Sequence, residues 1–137
     1  MRDDTETIHA ATYLLAEAKL SPELRNEALY YRAKAYTKQK AGKKAMEDYR
    51  ELAKDTRNPY GAEAKYQVAQ SLYDAKEYAA AEKELLNYIE QSTPHAYWLA
   101  RSFVLLSDVY HATGKDLDAR QYLLSLQQNY QGNDDIE

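Results

Sequence analysis

Small and large apolar residues recur along this chain at one common step. Ala33, Ala69 and Ser107 stand 36 and 38 residues apart, and the same offsets align Tyr36, Leu72 and Tyr110. They also align Ala45, Ala81 and Ala119, then Tyr49, Leu85 and Leu123, then Leu52, Tyr88 and Leu126. Five columns at one shift mark an internal repeat. A repeat of this length is a supersecondary unit that buries its remaining apolar surface only against a neighbour of its own kind.

Turn residues support the same frame from independent chemistry. Ser21-Pro22, Asn58-Pro59 and Thr93-Pro94 each place a capping side chain before a proline at a first helical position, where the missing N–H is no loss. Gly42 and Gly114 fall near the middle of the first and third units, where one helix stops and another begins. The pattern predicts seven helices, over about 4–19, 22–39, 42–55, 59–75, 78–91, 94–112 and 116–130. Each full unit is thus a helical hairpin: residues 22–57, 58–93 and 94–131, with 132–137 as a tail. Ala10 and Leu14 lie one period upstream of Ala45 and Tyr49, so residues 1–20 read as the second helix of a truncated unit. The chain is accordingly expected to be a fragment of a longer array.

The columns have a steric reason. Where the two helices of a hairpin cross at about 8–10 Å, only a small side chain fits at the contact. Ala33/Ala45, Ala69/Ala81 and Ser107/Ala119 supply it, while the larger columns fill the space between hairpins. The stretch AQSLYDAKEYAAAEKELL, residues 69–86, is the inner faces and turn of one such unit.

Composition points the same way. Four glycines and three prolines in 137 residues leave little for tight turns, and the strong helix formers dominate the rest, so the fold is expected to be all-α. No run approaches the roughly 18 apolar residues of a membrane helix. Without cysteine, disulfides and thiolate metal sites are excluded. A net charge of −4 provides no basic field for nucleic acid. Residues 21–57 nevertheless hold ten Lys/Arg against six Asp/Glu, which reads as a solvated helix face or, alternatively, a docking patch for an acidic partner.

These residues resemble the tetratricopeptide repeats, whose signature runs aromatic, Leu and a small residue, Tyr, Ala, an aromatic or aliphatic residue, then Pro. The third unit carries Phe103, Leu106, Ser107, Tyr110, Ala119 and Leu123. The first carries Ala33, Tyr36, Ala45, Tyr49 and Pro59, but has Leu29 and Arg32 where an aromatic and Leu are usual. The second carries Val68, Ala69, Leu72, Ala81 and Leu85, with Lys65 in the aromatic place. The resemblance implies a right-handed α-α superhelix of about three hairpins plus one leading helix. The abundant tyrosine and the loops DTRNPYGAEA and QSTPHAYWLA look most like the bacterial envelope subgroup, typified by outer-membrane assembly lipoproteins and Tol-Pal coordinators. That likeness implies a periplasmic scaffold.

Catalytic chemistry finds little to work with. Ser107, Asp108 and His111 suggest a hydrolase triad, but Ser107 belongs to the buried crossing column and residues three apart on one helix cannot also frame an oxyanion hole. His9, His95 and His111 lie in different units without ligand partners, and four scattered glycines make no phosphate loop, so neither metal nor cofactor is expected. Most of the 14 tyrosines read as core. Of Tyr97 and Trp98, one is expected to pack against the preceding unit.

In the family, first helices line an inner groove. Counting from Asn26, Ala62 and Ala100, the resemblance implies contacts at Glu27, Tyr30, Lys34, Thr37 and Lys38. In the next unit it implies Glu63, Tyr66, Gln70, Tyr73 and Asp74, and then Arg101, Val104, Asp108, His111 and Ala112. The implied function is a non-catalytic scaffold binding a peptide or protein segment, with Tyr30 and Tyr66 at equivalent places. The chaperone-tail clamp is not expected, because Tyr30 and Lys34, then Tyr66 and Gln70, stand where it needs Lys and Asn. The alternative is a self-association module using the open ends of the stack, with Tyr122, Leu123 and Leu126 covered in a dimer.

Overall fold

The computed structural model describes residues 3–91 and 94–115, with 117, 120, 121 and 124 beyond them. Among the described residues the chain is all-helical, without a strand. The helices are α1 (Asp4–Leu15), α2 (Pro22–Lys38), α3 (Gly42–Leu52), α4 (Pro59–Asp74), α5 (Tyr78–Glu90) and α6 (Ala96–Ala112). The seventh expected helix lies outside the described residues except for Leu117, Arg120, Gln121 and Leu124, which are helical. So do Ala119, Leu123 and Leu126 of the packing columns and Tyr122 of the expected dimer surface. No described helix is long and apolar enough to cross a membrane.

Two of the three expected Pro starts hold. The Ser21 hydroxyl accepts from Leu24 N–H at 3.3 Å, and Asn58 Oδ1 accepts from Tyr60 N–H at 2.8 Å. The third is corrected: α6 starts at Ala96, not Pro94, because the Pro94 carbonyl is engaged by Ala96 N–H at 3.1 Å in a tight turn that leaves His95 as the N-cap. Thr93 lies outside the described residues. Helix α1 ends at Leu15 rather than 19, since the chain must turn before the extended Ser21, whose ψ is 152°. Helix α3 ends at Leu52 rather than 55, closing with i→i+3 bonds from Lys54 and Asp55 N–H.

The hairpin turns repeat in backbone as well as in sequence. Lys40, Lys76 and Gly114, again 36 and 38 residues apart, take the left-handed conformation with φ of 61°, 63° and 78°. Each follows the C-cap of its helix, and the next residue's N–H reaches back to Tyr36, Leu72 or Tyr110 carbonyl at 2.8, 2.8 and 2.6 Å. This is the Schellman closure, made three times. Gly42 is the first residue of α3, where the sequence placed that start, and Lys40 rather than a glycine makes the turn before it.

The chain divides into two compact units, Met1–Ala64 and Lys65–Glu137. In the first, α1 packs on α2 and α2 on α3. Ala33 and Ala45 are 0% and 3% exposed, as a close helix crossing requires, and Tyr49 and Leu52 are buried around them. The first turn of α4 is set against the end of α3 through Gly61, where a Cβ would stand 1.8 Å from the Asp55 carbonyl oxygen. In the second unit α5 packs on α6, and Ala69 and Ala81 are fully buried with Leu85, Tyr88, Leu106 and Val109.

The two charged departures from the repeat signature, Arg32 and Lys65, have a structural cause. Arg32 on α2 pairs with Asp48 on α3, and Lys65 on α4 pairs with Glu84 on α5 at 2.8 Å. Asp48 and Glu84 occupy one repeat column, 36 residues apart. The acid keeps its place and the cation moves by about one helical turn, from the Arg32/Val68 column to the Leu29/Lys65 column. Charged residues at apolar places are tolerated because each meets its opposite across the hairpin.

Candidate functional site

In the first unit, α2 supplies Tyr30 and Lys34, one turn apart, and the start of α4 supplies Tyr60 and Glu63. The Tyr30 hydroxyl donates to Glu63 Oε1 at 2.9 Å, while Lys34 Nζ lies 3.3 Å from Glu63 Oε2 and 4.9 Å from the Tyr30 ring centroid. The Tyr60 ring lies 4.5 Å from that of Tyr30, tilted by 36°. Burial pushes the Tyr30 hydroxyl above its ordinary range, Glu63 adds to the rise and Lys34 opposes it. Hydrogen bonding to Tyr30 raises Lys34, and the Glu63 charge helps. The cluster is internally neutral, one acid against one base.

In the second unit, α4 supplies Tyr66 and Gln70, and the start of α6 supplies Tyr97, Trp98 and Arg101. The Arg101 guanidinium lies 4.8, 5.6 and 5.7 Å from the rings of Tyr66, Trp98 and Tyr97. It donates to the Tyr97 hydroxyl at 3.0 Å and to the Tyr66 hydroxyl at 3.2 Å. Tyr66 in turn donates to Gln70 Oε1 at 3.0 Å, and Gln70 Nε2 donates to Asp74 Oδ1 at 2.9 Å. The hydrogen bond that Arg101 donates to Tyr97 is the main reason that its proton is held more tightly still.

These are one arrangement built twice. The steps of 36 and 38 residues carry Tyr30 to Tyr66, Lys34 to Gln70, Tyr60 to Trp98 and Glu63 to Arg101. In both units the two rings are tilted, at 4.5 and 5.5 Å, and the tyrosine hydroxyl is bonded to the residue at the fourth place. The sign of that residue inverts. Facing Glu63 the hydroxyl donates, and facing Arg101 it accepts and turns its own hydrogen to Gln70.

Their exposure differs too. Tyr66 is 6% exposed, covered by Arg101 and Trp98, so of the two groove residues expected here Arg101 is accessible and Tyr66 is not. Trp98 is the member of the aromatic pair that packs, and Tyr97 is 40% exposed. Three other cations held between helices face an acid: Arg32 faces Asp48, Lys34 faces Glu63 and Lys65 faces Glu84. Arg101 faces rings and hydroxyls, and no described carboxylate pairs with it.

The remaining expected residues are scattered over their helices. Tyr73 is half-buried with its ring edge 5.6 Å from Tyr78, at the turn between α4 and α5. Asp108, His111 and Ala112 are exposed on α6, as are Thr37 and Lys38 on α2. Val104 is 46% exposed. Glu27 lines a cleft of about 330 Å³ between α1 and α2, with Ala10, Ala11, Leu14, Leu24 and Tyr31. Ser107 is buried in α6 while Asp108 and His111 face outward, so these three do not share a surface. Tyr60 and Asp48 escaped the sequence reading, although the repeat offsets would have paired Tyr60 with Trp98 and Asp48 with Glu84. Compared with known proteins, the chain matches no family model, no curated protein and no solved structure.

Proposed function

We propose that this chain is a non-catalytic protein-binding scaffold built from helical hairpins of the tetratricopeptide kind. In this reading the first helix of a hairpin takes a peptide or protein segment, at Tyr30 and Lys34 in the first unit or at Gln70, Tyr73 and Arg101 in the second. The observation that carries it is the recurring junction of tyrosine, second ring and charged residue, which ends in an exposed Arg101 that no carboxylate among the described residues pairs with. Aromatic residues and arginine in fixed geometry are the groups that most often anchor a partner. Burial of Ser107 away from Asp108 and His111 also favours binding over catalysis.

Selection of displayed peptides on the wild-type chain tests the proposal, with the enriched peptides measured again on Tyr30→Ala and Arg101→Ala chains of unchanged helicity. The expected result is loss of binding in at least one variant. Peptides held equally by all three chains would remove the first helices as the binding face. Self-association through the ends of the stack would instead use Tyr122, Leu123 and Leu126, which lie outside the described residues.

A further inference from the structure

We infer that Arg101 is a preformed seat for the carboxylate of a single acidic residue flanked by apolar ones, an inference that rests on the peptide-binding reading above. A guanidinium carries five N–H donors in a planar fork that matches a carboxylate edge to edge. Two of them are spent on the hydroxyls of Tyr97 and Tyr66, which leaves three for a ligand. The rings of Tyr66, Trp98 and Tyr97 hold the plane in place, so little side-chain freedom remains to be lost on binding. The two phenol contacts supply no negative charge, and no described carboxylate pairs with Arg101. A fixed cation without its own anion is the half-site of a charge-assisted pair.

The surroundings narrow the ligand further. Tyr97 lies one turn before Arg101 on α6 and Val104 one turn after, and they are 40% and 46% exposed. Both offer apolar contact beside the charge. Asp108, exposed one turn beyond Val104, repels a second acid on that side. The seat therefore selects a lone Glu or Asp among apolar neighbours over an acidic run.

The chain holds one tryptophan, Trp98, and its ring centre lies 5.6 Å from the Arg101 guanidinium carbon, so its emission reports on this seat. The probe is a nine-residue peptide with one central Glu flanked by Leu, and its control has Gln in place of Glu. With the wild-type chain, the Glu peptide is expected to change Trp98 emission saturably and to bind roughly ten-fold tighter than the Gln peptide, a preference that salt weakens. Arg101→Gln removes the preference, whereas Arg101→Lys keeps a reduced one, with circular dichroism confirming that both variants are folded. Equal binding of the two peptides by wild type, or a Glu preference that survives in Arg101→Gln, overturns the seat and leaves the scaffold reading standing. Absence of any saturable change with either peptide up to millimolar concentration overturns the seat and counts against peptide binding as well. Should Arg101→Gln unfold, Arg101→Lys decides the matter: a Glu preference smaller than that of wild type supports the seat, and one equal to it overturns the seat.

Discussion

Arg32 grips Asp48 through two parallel hydrogen bonds, Nε to Oδ2 at 2.8 Å and Nη2 to Oδ1 at 2.7 Å. A third donor, Nη1, reaches the Thr12 hydroxyl at 3.1 Å, so one side chain links α1, α2 and α3. The Asp48 side chain is 5% exposed and that of Arg32 20%, which leaves little water to replace a lost partner. Asp48→Ala is expected to destabilise the fold by about 2 kcal/mol, below the full figure for a buried pair because Arg32 keeps some access to solvent. Replacing both residues by Leu removes both charges and is expected to cost less than the single change. Urea unfolding of the three chains gives the comparison, and a single variant as stable as wild type would show that the pair is idle.

Lys40 and Lys76 hold backbone angles that an L side chain adopts at a cost of about 1 kcal/mol, while Gly114 holds the equivalent angle freely. Lys40→Gly and Lys76→Gly are therefore expected to stabilise by roughly 0.5–1 kcal/mol each, and Gly114→Ala to destabilise by about as much. Thermal unfolding reads all three. A loss on changing either lysine to glycine would mean that its side chain contributes more than the backbone angle takes away.

The reach of the sequence follows from what repeats in it. Ala33, Ala69 and Ser107 were legible because a close crossing admits only small residues, and Ser21 and Asn58 because capping chemistry is local. The helix ends before Lys40 and Lys76 were legible too, but the left-handed angle at these lysines was not, since the Schellman closure imposes it and no glycine marks it. The loss of Pro94 from α6 was equally hidden, because it depends on a tight turn around His95. At the candidate site, Tyr30, Tyr66 and Arg101 came from counting along the repeat. The cover that Arg101 lays over Tyr66 came from side-chain geometry, which periodicity does not encode.

Gly61 sits where α4 begins against the end of α3. A methyl group there would meet the Asp55 carbonyl oxygen at 1.8 Å and the Leu52 carbonyl oxygen at 2.8 Å, both backbone atoms that cannot rotate away. Gly61→Ala is expected to destabilise by about 3 kcal/mol, the upper range for overpacking, since relief requires moving a helix end. Gly42→Ala serves as the control, because a Cβ at Gly42 meets nothing within 4 Å. Equal unfolding midpoints for the two variants would contradict the close approach of α4 to α3.

Tyr30 and Tyr49 set an alkaline limit on the first unit. Burial is the main cause that pushes both hydroxyls above their ordinary range, while Thr37 draws Tyr49 partly back. Lys34, bonded to Tyr30, is raised as well. A group with a raised pKa in the fold binds its proton more tightly there than in the unfolded chain. Its contribution is complete below the unfolded value, about 10 for tyrosine, and is lost as pH rises through the folded value. Stability is thus expected to be level from neutral pH to about 9 and to fall above 10. Tyr49→Phe is expected to lower stability at neutral pH by about 1 kcal/mol, through the lost interaction of its hydroxyl with Thr37, yet to flatten the alkaline fall, because one of the ionising hydroxyls is gone. Urea midpoints across the alkaline range, paired with tyrosinate absorbance, test both halves. A fall of the same steepness in Tyr30→Phe, Tyr49→Phe and wild type would assign the limit to other groups.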